Sequence, residues 1–293
     1  MSVRKAKHGW ILTLFFSILS VIYVLPILIV IMNSFKLKAY INRYPFQLGA
    51  NPVSQGWDRF VAGLQRSFVG LDNYMEGIKK IDFFRAFGYS LFITICSVAV
   101  IILCTSMCAW YITRVNSRFT KGLYLLCLFS MIVPFQMVMF TLSKLANMLH
   151  LGNPVGIILV YLGFGAGLAV FMFCGFVRSI PIEIEEAAMI DGCNPLQTFF
   201  QVVLPILKPT AITVAILQAM WIWNDYLLPY LVLDIKKYKT IPIAIQYLKG
   251  GYGSIDWGAM MAMLVLAIIP IIIFYIACQK YIIEGVVAGA VKG

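Results

Sequence analysis

Charge is scarce in this sequence. Only 12% of its 293 residues are Asp, Glu, Lys or Arg, where a soluble domain carries about a quarter. A charge-covered, water-facing surface is therefore excluded for most of the chain. Acids are the rarer sign, 12 against 23 Lys and Arg, which leaves a formal net charge of +11. Histidine occurs only as His8 and His150, and there is no CxxC pair, so a metal site has no donor set. Neither H-E-x-x-H nor a paired nucleophile and base is present, which removes the support for an intramembrane hydrolase. A G-x4-G-K-[ST] phosphate loop is also missing. The seven cysteines lie mostly in apolar runs and never in the long polar loop after the first run, which is not a disulfide framework. No stretch joins a dense Lys/Arg patch to an aromatic platform, so nucleic acid is not an expected partner.

What the chain has is apolar length. It is 61% hydrophobic with a mean hydropathy of +0.90. A helix needs roughly 20 apolar residues to cross the hydrocarbon, and six runs qualify: 10–32, 86–112, 122–142, 155–177, 210–233 and 258–278. Barrel-type alternation is absent, and helices are then the way to satisfy the backbone in lipid. The expectation is an all-α, polytopic membrane protein with six transmembrane helices. The first run exceeds the roughly 7–15 apolar residues of a signal peptide and lacks a small-residue cleavage site, so it reads as a retained anchor.

Six spans place both termini on one side. Arg4, Lys5 and Lys7 next to the first span favour a cytoplasmic N-terminus, residues 1–9. The remaining Lys/Arg count does not help, because the long loop 35–85 carries many of them. Basic residues cluster in the breaks between runs, where membrane lipid headgroups are natural partners. The loop 35–85 holds Trp57, Phe60 and Phe68 among its glycines and prolines. It is too aromatic for a disordered tether, and a small folded cap is expected. Pro134, Pro229 and Pro270 are expected to soften their helices. Gly163 and Gly167, in GxxxG spacing with Gly165 between them, are expected to let helices pack closely.

The segment 179–209 is the most informative. Ser179 is placed to cap a helix with Pro181 in its first turn. Glu183, Glu185 and Glu186 fall early in that helix, where the macrodipole favours negative charge. Gly192 can take the left-handed conformation that ends it. Asn194 is then a second cap, with Pro195 following and Gln197 at capping-box spacing. The acidic helix with its small pair Ala187 and Ala188 suits a docking knob. An ordinary capped interfacial loop has the same features, and both readings stand on physics alone.

The same segment resembles the EAA loop of ABC importer permeases, E-A-A-x3-G-x9-I-x-L-P. Here it runs Glu186-Ala187-Ala188, Gly192 after three residues, then Val202, Leu204 and Pro205 after nine more, with Val for Ile the one departure. Trp223-Asn224-Asp225-Tyr226 followed by Pro229 is similar to the fifth-span pattern of sugar-importer permeases. The ending Gly285-Val286-Val287-Ala288-Gly289-Ala290-Val291-Lys292-Gly293 resembles their terminal G-x3-GAVKG. With the six spans and the long first outer loop, the likeness covers nearly the whole chain and points to the smaller permease subunit of maltodextrin/raffinose-type sugar importers.

That resemblance implies a type I ABC importer permease fold over 10–293. Loops 35–85 and 234–257 would lie outside, and the EAA loop 179–209 and the tail 280–293 in the cytoplasm of a bacterial cell. Glu186, Ala187, Ala188, Gly192, Leu204 and Pro205 would form the coupling loop to a separate cytoplasmic ATPase present in two copies. ATP and Mg would sit on those partners, with no cofactor on this chain. A second permease subunit and an extracytoplasmic sugar-binding protein complete the expected partners. Gln218, Trp221 and Asp225, at i, i+3 and i+7, would share a helix face. With Asn224 they would either wall a translocation path for sugar, an oligosaccharide as the resemblance implies, or glue helices together. Gly250-Gly251-Tyr252-Gly253 would either reach the binding protein or form a surface turn. A self-contained carrier would need more intramembrane charge or an inverted repeat. A non-sugar cargo remains the rival within the ABC framework.

Overall fold

The computed structural model describes residues 9–49, 56–249 and 254–290, the last nine by their backbone. Among these residues the chain is helical, with two isolated bridges, Lys36 to Phe68 and Lys249 to Ile255, in place of a sheet. In chain order the helices are α1 Gly9–Ser34, α2 Lys38–Arg43, α3 Trp57–Ser67, α4 Asp72–Ile81, α5 Phe83–Arg114, α6 Arg118–Ile132, α7 Phe135–Met148, α8 Gly156–Val177 and α9 Ile182–Ile190. Next come α10 Pro195–Gln197 and α11 Leu204–Ile206, single turns joined by a π-helical stretch Thr198–Val203. Then follow α12 Lys208–Asn224, α13 Leu227–Val232, α14 Ile241–Gln246 and α15 Trp257–Ala290.

Four of these, α1, α5, α8 and α15, are long and apolar enough to cross a bilayer singly, and two bent pairs make six if each pair is one span. The expected runs 10–32, 86–112, 155–177 and 258–278 coincide with the four single helices. The runs 122–142 and 210–233 are not continuous helices. The first is broken because a proline pushes the residue before it out of helical backbone. Val133 and Pro134 both stand extended, at ψ 119° and 133°, and α6 and α7 meet at a bend of 107°. The second run stops at Asn224, where Asp225 turns extended at φ −73° and ψ 125° before the short α13. At its other end α12 leaves the Pro195–Ile206 helix through a 75° bend. The three softening prolines thus behave differently. Pro134 breaks a helix, Pro229 sits in the first turn of α13 where no helical bond is lost, and Pro270 lies inside a helix that continues past it.

The chain divides into two compact units. The first joins the described residues up to Phe83 with Ala244–Pro270. Its loop segment is folded, as its composition predicts, but a polar cluster holds it more than its aromatics do. Trp57 and Phe68 stay 68% and 57% exposed. Asn73 is buried and donates to the carbonyls of Ser34 and Lys36, both at 2.8 Å. The buried Lys36 ammonium donates to Asn33 Oδ1 at 3.0 Å and to the carbonyls of Tyr44 and Gln47. Burial lowers the Lys36 pKa from its ordinary value. Asp256, just ahead of α15, takes the ammonium of Lys80 on α4.

The second unit, Phe84–Ile243 with Ile271–Gly293, is built around α8. That helix is apolar all round, which suits an element surrounded by others. Tyr161, Ala169, Phe173, Cys174 and Val177 along it are fully buried, and Ile101 and Ala109 of α5, Phe199, Val203, Leu207 and Val214 of α12 complete the core. The glycines that permit this packing are Gly165 and Gly167. A β-carbon on Gly167 would lie 2.7 Å from the Cys127 carbonyl oxygen of α6, and one on Gly165 2.7 Å from Ile101 Cδ1. Gly163 meets nothing within 4 Å, so the GxxxG pair is not the contact. The close approach follows i and i+2 because α8 is flanked on two sides.

Candidate functional site

The chain leaves α8 through a turn in which Ser179 Oγ donates to the Phe176 carbonyl at 2.7 Å. Ser179 therefore closes α8 and does not cap α9. The N-cap of α9 is Pro181, extended at φ −57° and ψ 136°, without a side-chain bond. Proline fixes that φ and forces the change of direction.

The far end of α9 is a Schellman motif. Gly192 stands at φ 90°, the Cys193 amide bonds back to the Ala188 carbonyl at 3.0 Å, and the Gly192 amide to that of Met189 at 3.0 Å. Asn194 then opens the next helix with the expected reciprocal capping box. Its amide donates to Gln197 Oε1 and its Oδ1 accepts from the Gln197 amide, each at 2.9 Å. A π-helical stretch follows at once, a winding frequently found at functional sites.

The three glutamates of α9 have different fates. Glu183 and Glu186 are exposed, while Glu185 is 2% exposed. Its Oε1 accepts from Arg114 Nε at 2.9 Å and Nη2 at 2.7 Å, and its Oε2 from Trp110 Nε1 at 2.9 Å. Arg114 Nη2 also donates to the Ile180 carbonyl at 2.9 Å. A buried carboxylate is tolerable only when paired and hydrogen-bonded in this way. Sequence reading missed this cluster. Its signal was Trp110 and Arg114 at i, i+4 on the end of a span, facing a helix whose Glu185 and Ala188 share a face at i, i+3.

Ala187 and Ala188 do not jointly form a small outer surface, because successive helix positions diverge by about 100°. Ala187 is exposed and Ala188 is buried beside Glu185. Leu204 is half-buried on the core and Pro205 is exposed. The outward tip is apolar instead: Met189, Ile190 and Leu196 are 50%, 86% and 60% exposed, rimmed by Glu186 and Asp191. An exposed apolar patch with a polar rim marks a surface for contact with a protein or a membrane.

The second expected group is only partly assembled. Gln218 is buried and donates to the Gly165 carbonyl at 3.2 Å, so it serves the α8–α12 contact. Trp221 and Asp225 both meet the buried Tyr161, the one edge-on at 5.5 Å, the other accepting its hydroxyl at 3.2 Å. Asp225 Oδ1 also accepts from the Leu227 amide at 3.0 Å. It is thus the cap of α13 at a break, not an acid inside a continuous span, and the i, i+3, i+7 face ends before reaching it. Asn224 is exposed and donates to the Met220 carbonyl at 2.7 Å. Gly250, Gly251, Tyr252 and Gly253 lie outside the described residues, as do the last three of the terminal motif. Among the described residues no three His, Cys, Asp or Glu come together as metal donors.

The family described as "Binding-protein-dependent transport system inner membrane component" matches residues 101–287, well over half the chain. The chain belongs to this family. It is a membrane transport permease of the ABC importer kind. It is 36% identical to the "Probable starch degradation products transport system permease protein AmyC" of Thermoanaerobacterium thermosulfurigenes, over 99% of this chain and 100% of that one. It is 32% identical to the "Multiple sugar-binding transport system permease protein MsmG" of Streptococcus mutans, over 99% of each. Its fold is similar to that in the crystal structure of a bacterial ABC transporter involved in the import of the acidic polysaccharide alginate. That likeness has a TM-score of 0.74 at 22% identity and covers 96% of this chain and 99% of the other.

Proposed function

We propose that this permease is one of two membrane-spanning subunits of an ATP-driven importer of oligosaccharides, working by alternating access. The cargo class is supported by its relatives, whose names describe starch degradation products and multiple sugars. A separate pair of cytoplasmic ATPase subunits holds ATP and Mg and does the hydrolysis. An extracytoplasmic binding protein delivers the sugar. The N-terminus, the loop 179–209 and the tail 280–293 face the cytoplasm, and the loops 35–85 and 234–257 face outward.

One observation carries this reading: α9 offers an exposed apolar tip with an acidic rim on a base held rigidly by buried groups. Such a helix can enter a groove on another protein and move as a body. Glu186 and Ala187 contact the ATPase, Gly192 turns the chain after the contact, and Leu204 and Pro205 return it to α12. Trp221, with Asp225 behind it on Tyr161, forms part of the cargo path, and Gly250–Gly253 touches the binding protein.

The test is co-purification of the tagged chain from its host in mild detergent, wild type beside Glu186→Ala and Ile190→Asp. Both residues are exposed, so the fold is not at stake. Wild type should bring down an ATPase and a second permease, and both substitutions should deplete the ATPase while keeping the permease. A wild-type chain that arrives without an ATPase, under conditions that preserve membrane complexes, overturns the proposal in favour of a self-contained carrier.

A further inference from the structure

The chain connections out of α9 are poor transmitters of movement. On one side it is reached through the extended joint at Pro181. On the other it leaves through Gly192 at φ 90°, a π-helical stretch and a 75° bend before α12. Each joint lets the next element rotate without following. The Glu185 side chain is different. It sits in the middle of α9, next to exposed Glu186, and its two oxygens are taken by Arg114 and Trp110 of a single helix, α5. Arg114 also grips the Ile180 carbonyl at the entry to α9. Glu185 within α9 and the turn that enters it at Ile180 are therefore both tied to one turn of α5.

That helix is a suitable lever. It runs 32 residues with no internal proline, about 48 Å at 1.5 Å per residue. The tie is also of the right kind. A buried ion pair is weak evidence for stability, because desolvation offsets much of its attraction, whereas its geometry is specific. Apolar residues would fill the same space but would let α9 slide. Trp110 is itself wedged against Phe199, ring centroids 5.6 Å apart, which holds the donor in place.

We infer that Glu185, clamped by Arg114 and Trp110, is the positioning residue that delivers displacement of α9 to α5. This rests on the proposal that α9 docks on a separate ATPase. The clamp makes the docking helix and the end of a membrane-spanning helix one rigid body, so that closure of the ATPase is felt in the bundle. Without it α9 still docks, because its tip is unchanged, but the movement dissipates in the joints on either side.

The experiment uses the whole complex in nanodiscs with Mg-ATP, and its binding protein as purified from the host. The readout is the ratio of hydrolysis with the binding protein to hydrolysis without it, which reports communication across the membrane. Stoichiometry of bound ATPase is measured on the same samples. Glu185→Gln keeps the size of the side chain and should lower the ratio roughly fivefold or more, with ATPase bound as in wild type. Arg114→Gln should do the same, and the double variant should lose no more than the worse single, because the pair acts as one unit. Arg114→Lys, which keeps the charge but not the forked donors, should fall between. An unchanged ratio, a ratio that falls only as bound ATPase falls, or single losses that multiply in the double variant each overturn the inference. Those results leave the importer reading intact. Absence of ATPase from the wild-type complex overturns that reading, and the clamp with it.

Discussion

Asp225 allows the sharpest separation between holding a fold and serving cargo. Its carboxylate accepts the hydroxyl of Tyr161, a residue with 0% exposure, and the amide of Leu227, with the Leu228 amide at a marginal 3.4 Å. Asp225→Ala removes a helix cap, worth about 1–2 kcal/mol, and orphans a buried hydroxyl, worth about 1–3 kcal/mol. Allowing for partial relaxation, a loss of about 2–4 kcal/mol follows from these two effects. At roughly 2–4 °C per kcal/mol, the purified chain should melt roughly 4–16 °C lower. Asp225→Asn keeps an acceptor oxygen at the same place and caps about as well, so it should cost under about 1 kcal/mol. Tyr161→Phe removes only the shared bond, about 1 kcal/mol. The assay is thermal unfolding in detergent followed by tryptophan fluorescence. If Asp225→Asn falls as far as Asp225→Ala, the charge and not the cap geometry is what matters, and the argument fails. If Asp225→Asn folds like wild type yet abolishes transport, the carboxylate serves the cargo path as well.

Three further predictions follow from the packing and the termini. Alanine at Gly167 should destabilise by about 1–3 kcal/mol, since the obstructing Cys127 carbonyl is backbone. Gly165→Ala should cost less because Ile101 Cδ1 can swing away, and Gly163→Ala should be neutral or gain up to about 1 kcal/mol; melting temperatures in any other order would contradict the packing. Gly192→Ala meets no neighbour within 4 Å but must hold φ 90°. Its cost of about 1–3 kcal/mol is conformational, visible as faster hydrogen exchange of the Gly192-neighbouring Cys193 amide and as weaker ATPase co-purification. The Lys80–Asp256 tie should depend on pH. Burial alone would raise the Asp256 carboxyl, but Lys80 and the Ala259 amide outweigh it and hold it below its ordinary value, while Asp256 and then Glu76 raise Lys80. A depressed acid stabilises above its ordinary pKa and stops doing so as pH falls through the lowered one; a raised lysine stabilises below its ordinary pKa and stops as pH rises through the raised one. The tie therefore holds through neutral pH. Its contribution, below about 1 kcal/mol because Lys80 is half exposed, should separate wild type from Asp256→Asn at pH 7. That difference should shrink as pH falls below about 4.

Much of this protein is legible without coordinates, for identifiable reasons. A run of some twenty apolar residues has one stable arrangement in lipid, so the single-helix spans follow from composition. Capping is equally local: Asn194 and Gln197 lie three residues apart and found each other, and Gly192 took the positive φ that a residue with a β-carbon resists. The motif spacing 186–205 is likewise a property of the string of residues, and with the fifth-span and terminal patterns it carried the resemblance to the family that matches residues 101–287.

What the string could not decide depends on partners distant in sequence. Nothing local distinguishes Glu185 from Glu183 or Glu186. Only the arrival of Arg114 and Trp110, some seventy residues earlier, makes one of three glutamates a buried anchor. Ala187 and Ala188 read as a pair until the helix is docked and one of them faces inward. Gly163, Gly165 and Gly167 are equivalent until α5 and α6 approach two of them. Hydropathy likewise marked 122–142 and 210–233 as spans but not as bent ones, because apolar character is the same on either side of a break. The tertiary structure makes these decisions, because a buried charge, a close helix crossing and a kink are each stabilised by groups that the chain brings together only on folding.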